Sequence, residues 1–228
     1  MNIADTIIEK PVAFNVGNRQ FFIYPPTLGK AYLLTRLFDD LDVNGKIMAA
    51  NPCMETLRLC QEKKETICRL LSYYTFKKKE EFFDKEKIES RAKLFHKKLS
   101  NEELSTLFTL ILSEDNTDEY IKYFGIDKER QERKRMAETR DDSGSVTFGG
   151  NSIYGTLVDF ACQRYGWTME YVVWGISYAN LKMLLADAVT TVYLSAEERK
   201  QLRITHDREC IDADDPKNRN LLRELISE

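Results

Sequence analysis

The residues from Asn151 to Ser195 form the most apolar stretch of an otherwise polar chain, and their spacing leaves little choice of secondary structure. Ile153, Leu157, Phe160 and Ala161 fall on one face of a helix, and Leu181, Leu184, Leu185, Ala188, Val189 and Val192 repeat the pattern. Between the two runs lies Tyr165-Gly166-Trp167-Thr168. Gly166 suits the left-handed C-cap of the first helix, because a residue without a Cβ takes positive φ without strain. Thr168 suits the N-cap of the next helix, with Glu170 in the first turn, where a carboxylate meets the positive end of the helix dipole. A second break is expected near Gly175. The stretch predicts a helical hairpin, or two helices at a steep angle. Both tryptophans of the protein, Trp167 and Trp174, lie in it.

The residues before it read as a hairpin followed by helices. Val12 to Tyr24 alternates apolar and polar residues around Gly17-Asn18, a turn dipeptide, and Pro25-Pro26 stops the second strand because proline cannot donate to a ladder. Thr27 is expected to cap a helix whose buried face carries Leu33, Leu34, Leu37, Phe38 and Leu41, ended by Asp42-Val43-Asn44-Gly45. Asn51-Pro52 opens another, since Asn at N-cap followed by Pro at N1 is the favoured order. Its spacing predicts one helix to about Tyr74, with Met54, Leu57, Cys60, Ile67, Cys68 and Leu71 on the apolar face.

From Phe76 to Lys98 lysines and acids are interspersed, which predicts a solvated helix touching the core through Ile88, Leu94 and Phe95. Ser100 and Glu103 form a capping box ahead of a core helix with Leu104, Leu107, Phe108, Ile111 and Leu112. Thr117 caps a further helix, ended by Gly125, and Asp127 to Arg140 is helical by propensity without an apolar face. Ser195 and Glu198 form a second capping box. Residues 204–218 are acidic and turn-like, and a last amphipathic piece carries Leu221, Leu222, Leu225 and Ile226.

The expected fold class is therefore mainly α: a multi-helix domain with a small N-terminal β-hairpin. Residues 141–151, Asp-Asp-Ser-Gly-Ser-Val-Thr-Phe-Gly-Gly-Asn, have the composition of a flexible linker. The expected organisation is an N-terminal hairpin plus helical domain over 1–140, the linker over 141–151, and a C-terminal helical hairpin with a charged tail over 152–228.

Charge and composition narrow the function classes. A net charge of −3 from 34 basic and 37 acidic residues gives no global attraction for nucleic acid or a membrane surface. No apolar run approaches the ~20 residues of a membrane span. The opening Met1 to Phe14 lacks a basic region followed by an apolar one, so a cytoplasmic location is expected. Cys53, Cys60 and Cys68, about two helical turns apart, are expected to be buried thiols, and His96 and His206 to be solvated.

There is no P-loop, no Gly-x-Gly-x-x-Gly after a strand, no His-Glu-x-x-His and no Gly-x-Ser-x-Gly. The glycine-rich residues 144–150 have neither the preceding strand nor the following lysine of a phosphate loop. Asp212, Asp214 and Asp215 lack the glycine and distal glutamate of a calcium loop, so they read as solvated acids. No catalytic residue, metal site or cofactor is expected.

One set of residues stands out as a candidate partner-binding surface: Tyr165, Gly166, Trp167, Tyr171, Trp174 and Tyr178. Aromatics at near-helical spacing serve a core or a binding hot spot. A split is expected, with Trp174 mainly structural and Trp167, beside the Gly166 turn, more exposed.

The order of a short hairpin, a proline, a leucine-rich helix, charged helices and a final block Tyr165-Gly166-Trp167, Val172, Trp174, Leu181, Leu184 and Leu185 resembles the tail assembly chaperones of long-tailed bacteriophages and prophages. The start of the chain, from Phe14 to Leu34, is similar as well. The resemblance covers the two ends of the chain and not its middle. It implies a non-enzymatic protein of the bacterial host cytoplasm that keeps the tape measure protein, a long helical polypeptide, soluble during tail assembly, with self-association left open. A structural virion or helical adaptor protein without chaperone activity is the alternative.

Overall fold

The structure, a computed structural model, describes residues 3–113, 117–139, 151–189 and 191–202. It is mainly helical, with thirteen α-helices among the described residues and an N-terminal two-stranded antiparallel hairpin, as the patterning predicts. In chain order these are α1 (Ile3–Ile7), β1 (Val12–Val16), β2 (Arg19–Ile23), α2 (Leu28–Asp39), α3 (Gly45–Ala50), α4 (Pro52–Glu62) and α5 (Lys64–Tyr74). After a 3₁₀ turn over Lys79–Phe83 come α6 (Lys85–Lys98), α7 (Asn101–Ser113), α8 (Thr117–Tyr123) and α9 (Ile126–Thr139). The last helices are α10 (Ile153–Tyr165), α11 (Met169–Trp174), α12 (Tyr178–Ala186) and α13 (Ala196–Gln201).

Most helix ends lie where the capping residues put them. The side chain of Thr27 accepts from the Lys30 amide, Asn51 from that of Met54 and Thr168 from that of Tyr171. Both capping boxes form: Ser100 and Glu103 exchange bonds of 2.8 and 3.2 Å, and Ser195 and Glu198 bonds of 2.6 and 3.2 Å. Gly166 takes φ +65° as the C-cap of α10. In the hairpin, Gly17 at φ +59° occupies the first loop position, where a II′ turn requires positive φ.

Two compact units are present. The first comprises Met1–Asp127 together with Thr147–Ala188, and the second Lys128–Val146 with Val189–Glu228. Helices α10 to α12 belong to the same unit as the N-terminal helices. All of the expected linker except Asn151 lies outside the described residues, as do Cys210, His206, the acidic group at 212–215 and the last amphipathic piece. In the second unit, Arg135 of α9 donates to the carbonyl of Leu202, just after α13, at 2.7 Å.

The largest core of the first unit is built by α2, α4, α5, α6 and α7 under one face of the hairpin. A lone hairpin is marginal in water; here Phe14 and Phe21 pack on Phe95 of α6 with ring centres 5.9 and 5.1 Å apart. A second core joins Leu157 and Ala161 of α10, Val172 of α11 and Leu181 of α12 to Leu28 of α2. A third holds Phe76, Phe82 and Ile88, with Leu33 and Trp174 against them.

Several expectations need correction. The helix predicted from Asn51 to Tyr74 is two helices, α4 and α5, broken at Lys63 (φ −127°, ψ 32°). On α4 the buried residues are Glu55, Thr56, Leu59 and Cys60, while Met54 is 64 % exposed and Cys53 is exposed. Polar residues are tolerated there because each finds partners. Glu55 binds the Arg58 guanidinium at 2.6 and 2.9 Å and the Asn44 amide at 2.7 Å, and the Thr56 hydroxyl meets those of Ser105 and Thr109 at 2.9 and 2.8 Å.

The segment from Phe76 to Lys98 is less solvated than its charge predicts. Phe76, Phe82, Ile88, Ala92 and Phe95 are buried, and Arg91 lays its guanidinium over the Phe76 ring at 3.9 Å. Helix α12 stops at Ala186, which leaves Val189 79 % exposed instead of continuing the stripe. Helices α1 and α3 have no counterpart in the sequence-based reading.

Candidate functional site

The aromatic residues singled out in the sequence divide among three places in the first unit. Tyr165, Trp167 and Tyr171 form a continuous ridge across the α10–α11 turn. The Tyr165 and Trp167 rings stack at 4.7 Å, and Tyr171 meets Trp167 edge-on at 5.1 Å. Phe160 extends the ridge to Tyr165 at 5.9 Å. Gly166 makes the ridge possible, since its positive φ turns the chain back at the end of α10. Tyr171 is 46 % exposed, whereas Tyr165 and Trp167 are half-buried against the second core.

Trp174 points elsewhere. Its indole stacks on Phe82 at 5.8 Å and meets the exposed Phe83 edge-on at 6.1 Å. The other partner is backbone: a Cβ added at Gly29 of α2 would come within 2.8 Å of three indole atoms. Glycine is needed there for close approach, not for a turn. A Lys79–Glu170 ion pair at 2.9 Å also links α11 to the 3₁₀ turn, and Glu170 is held below the usual carboxylate range by its hydrogen bond from Lys79.

Tyr178 stands on a third feature, which no local sequence pattern marked. Its amide donates to the Pro26 carbonyl at 2.8 Å, and the neighbouring Thr27 and Ser177 form an isolated antiparallel bridge. Around this junction opens a groove of about 340 Å³. Its walls come from α1, from Pro25-Pro26, from the α2 face with Ala31 and Phe38, and from the ends of α5 and α7. The start of α12 closes it with Ser177 to Ala179. Tyr74, Ile111 and Ser177 are buried at its base, while Thr35 and Asp39 are exposed at its rim.

The N-terminal segment fixes one wall. Glu9, in the left-handed region at φ +54°, accepts from the Ser177 amide at 2.7 Å and from the Asn180 side chain at 3.1 Å. Thr6 and Tyr120 of α8 share a hydroxyl–hydroxyl bond of 2.8 Å. A non-glycine residue at positive φ persists only where its surroundings hold it there. The two contacts of the Glu9 carboxylate do so.

Beneath α2, Lys30 is 1 % exposed and donates to the Phe76 carbonyl at 3.2 Å, with the Tyr74 and Phe82 rings 5.4 and 5.1 Å from its ammonium. Carbonyl and π-faces replace the water such a charge loses on burial. The cysteines offer no nucleophile in this unit's core: burial pushes the Cys60 thiol up to about 12 and the Cys68 thiol up to about 11. Among the described residues no group of three or more His, Cys, Asp or Glu side chains is arranged as metal ligands, and no helix is long and apolar enough to cross a membrane.

The first unit thus carries an apolar groove with two carboxylates among its lining residues, and an aromatic ridge. Comparison with known protein families, curated proteins and solved structures finds no match for this chain.

Proposed function

We propose that the protein is an assembly chaperone that holds a long helical client, of the kind represented by a phage tape measure protein, through an apolar groove. One observation carries the reading. The two stretches that resemble tail assembly chaperones, at opposite ends of the chain, meet in space: Pro26 bonds Tyr178, Thr27 bridges Ser177, and Gly29 lies under Trp174. Residues that share a resemblance because they share a task are expected to build one site. Here they contribute Pro25, Pro26, Ala31 and Ser177 to Ala179 to the lining of one groove. A groove of this kind receives an amphipathic helix through anchors spaced along one face, and holding a client needs no catalytic group.

The experiment is co-purification of the chain with a tape measure protein from co-expressing cells, read against finished particles. A chaperone should hold the soluble client and be absent from mature tails. Stoichiometric presence in particles would instead make the chain a structural adaptor. Paired alanine variants locate the surface. Trp174→Ala should destabilise the fold by about 3 kcal/mol, at the lower end for a large aromatic because the ring is only half-buried. Trp167→Ala should unfold at a temperature closer to that of the wild type. If it weakens client capture about tenfold, the ridge is part of the binding surface.

A further inference from the structure

The groove is one-sided in charge. Among the residues that line it are two carboxylates, Asp5 and Asp39, and no lysine, arginine or histidine. Lys10 offsets Asp5 at 3.2 Å. Asp39 stands exposed at the last position of α2, where the helix C-terminus adds partial negative charge of its own. Ile111 and Leu112 bring the C-terminal turn of α7, ending at Ser113, to the same groove. The opposing contribution is the N-terminus of α12, and it is already answered, because the Glu9 carboxylate accepts the Ser177 amide at 2.7 Å. The lining thus offers an apolar floor with Asp39 and two helix C-termini at one side, while the Lys182 ammonium lies over the Tyr178 ring at 4.7 Å at the other.

We propose that the groove selects a helical segment whose apolar face enters it and whose flanking lysine or arginine pairs with Asp39. The inference deepens the chaperone reading and rests on it only for the identity of the client. The chemistry of the occupant follows from the groove. Apolar anchors provide affinity, and the rim charge provides register and orientation, because a like charge placed at such a rim is rejected while an opposite one is steered in. An acidic segment of equal hydrophobicity is therefore disfavoured.

The test uses the full chain and two synthetic peptides of about 20 residues, long enough to be helical. Both carry the same leucine face; one is flanked by lysines and the other by glutamates. Binding is read by fluorescence anisotropy at low and high salt, and folding by thermal unfolding. The lysine-flanked peptide should bind at least about fivefold tighter than the glutamate-flanked one, with the gap closing at high salt. Asp39→Lys should reverse the order while leaving the melting temperature unchanged. Ala31→Trp, which fills the groove from α2, should abolish binding of both.

Equal binding of the two peptides, or an Asp39→Lys variant with the wild-type order, overturns the proposal. So does undiminished binding by folded Ala31→Trp, which would move the site to the aromatic ridge. A wild-type dimer that Ala31→Trp dissociates would show the groove filled by a second copy and would overturn it as well. The two readings fail separately. Charge-selective peptide binding without capture of a tape measure protein removes the chaperone function and leaves the groove chemistry standing. Client capture that survives both variants does the reverse.

Discussion

Thr27 and Ser177 face each other across an isolated antiparallel bridge, and each is the N-cap of the helix that leaves it. The Thr27 hydroxyl accepts the Lys30 amide at 3.3 Å and the Ser177 hydroxyl the Asn180 amide at 3.2 Å. Helices α2 and α12 therefore start from one shared point, and the backbone bond from Tyr178 to Pro26 locks it. Any displacement of the C-terminal block carries the groove wall with it. The stability of the first unit and the shape of the groove are coupled through this junction.

The contact of Gly29 with Trp174 gives the most direct test of that coupling. In Gly29→Ala the new methyl meets the indole at 2.8 Å, too close for the ring to accept without moving. Overpacking costs about 1–3 kcal/mol, and the better helix propensity of alanine returns up to ~1 kcal/mol. The expected net loss is about 1–2 kcal/mol in urea unfolding. In a Trp174→Leu background the same change should be neutral or stabilising. If Gly29→Ala is equally destabilising in both backgrounds, the contact is not the reason for glycine at this position.

Acid sensitivity should trace in part to Glu55. Its carboxyl is held below its ordinary value of 4.5, chiefly by the hydrogen bond from Arg58, with the Asn44 amide adding to it against the cost of burial. A carboxylate whose folded-state pKa is depressed stabilises the fold fully above its unfolded value and loses that contribution as pH falls through the folded one. Glu55→Gln should therefore be less stable than the wild type at neutral pH. The difference should stay constant down to about pH 5 and shrink below about pH 4.5. Urea midpoints of both proteins across this range are the measurement. A difference that grows on acidification would contradict the assignment.

Thiol reactivity should separate the cysteines of α4 and α5. The thiolate is the reactive form, and burial holds Cys60 and Cys68 in the thiol form, at about 12 and about 11, while Cys53 is exposed. Alkylation with iodoacetamide at about pH 8, mapped by peptide mass spectrometry, should label Cys53 in the native protein. Cys60 and Cys68 should react only in denaturant. Comparable native rates at all three would mean that α4 and α5 do not pack as described.

The sequence by itself determined the local features of this protein. The hairpin turn at Gly17, the caps at Thr27, Asn51 and Thr168, the boxes at Ser100 and Ser195, and the break at Gly166 were legible because each rests on bonds between residues a few positions apart. The mainly helical class followed from apolar spacing for the same reason. The tertiary structure decided the rest. It broke the helix at Lys63, ended α12 at Ala186, and buried Lys30, Glu55 and Phe82. A charged or aromatic side chain in a polar segment is buried only if residues beyond its own helix complete its bonds or its packing, as Asn44 does for Glu55 and Phe76 for Lys30. The groove was hidden for that reason too. Tyr178 stood out as an aromatic and Pro26 as a strand stop, but Asp5, Asp39 and Ser177 are unremarkable where they stand in the chain. They line one groove only when the bridge between Thr27 and Ser177 brings the two stretches together.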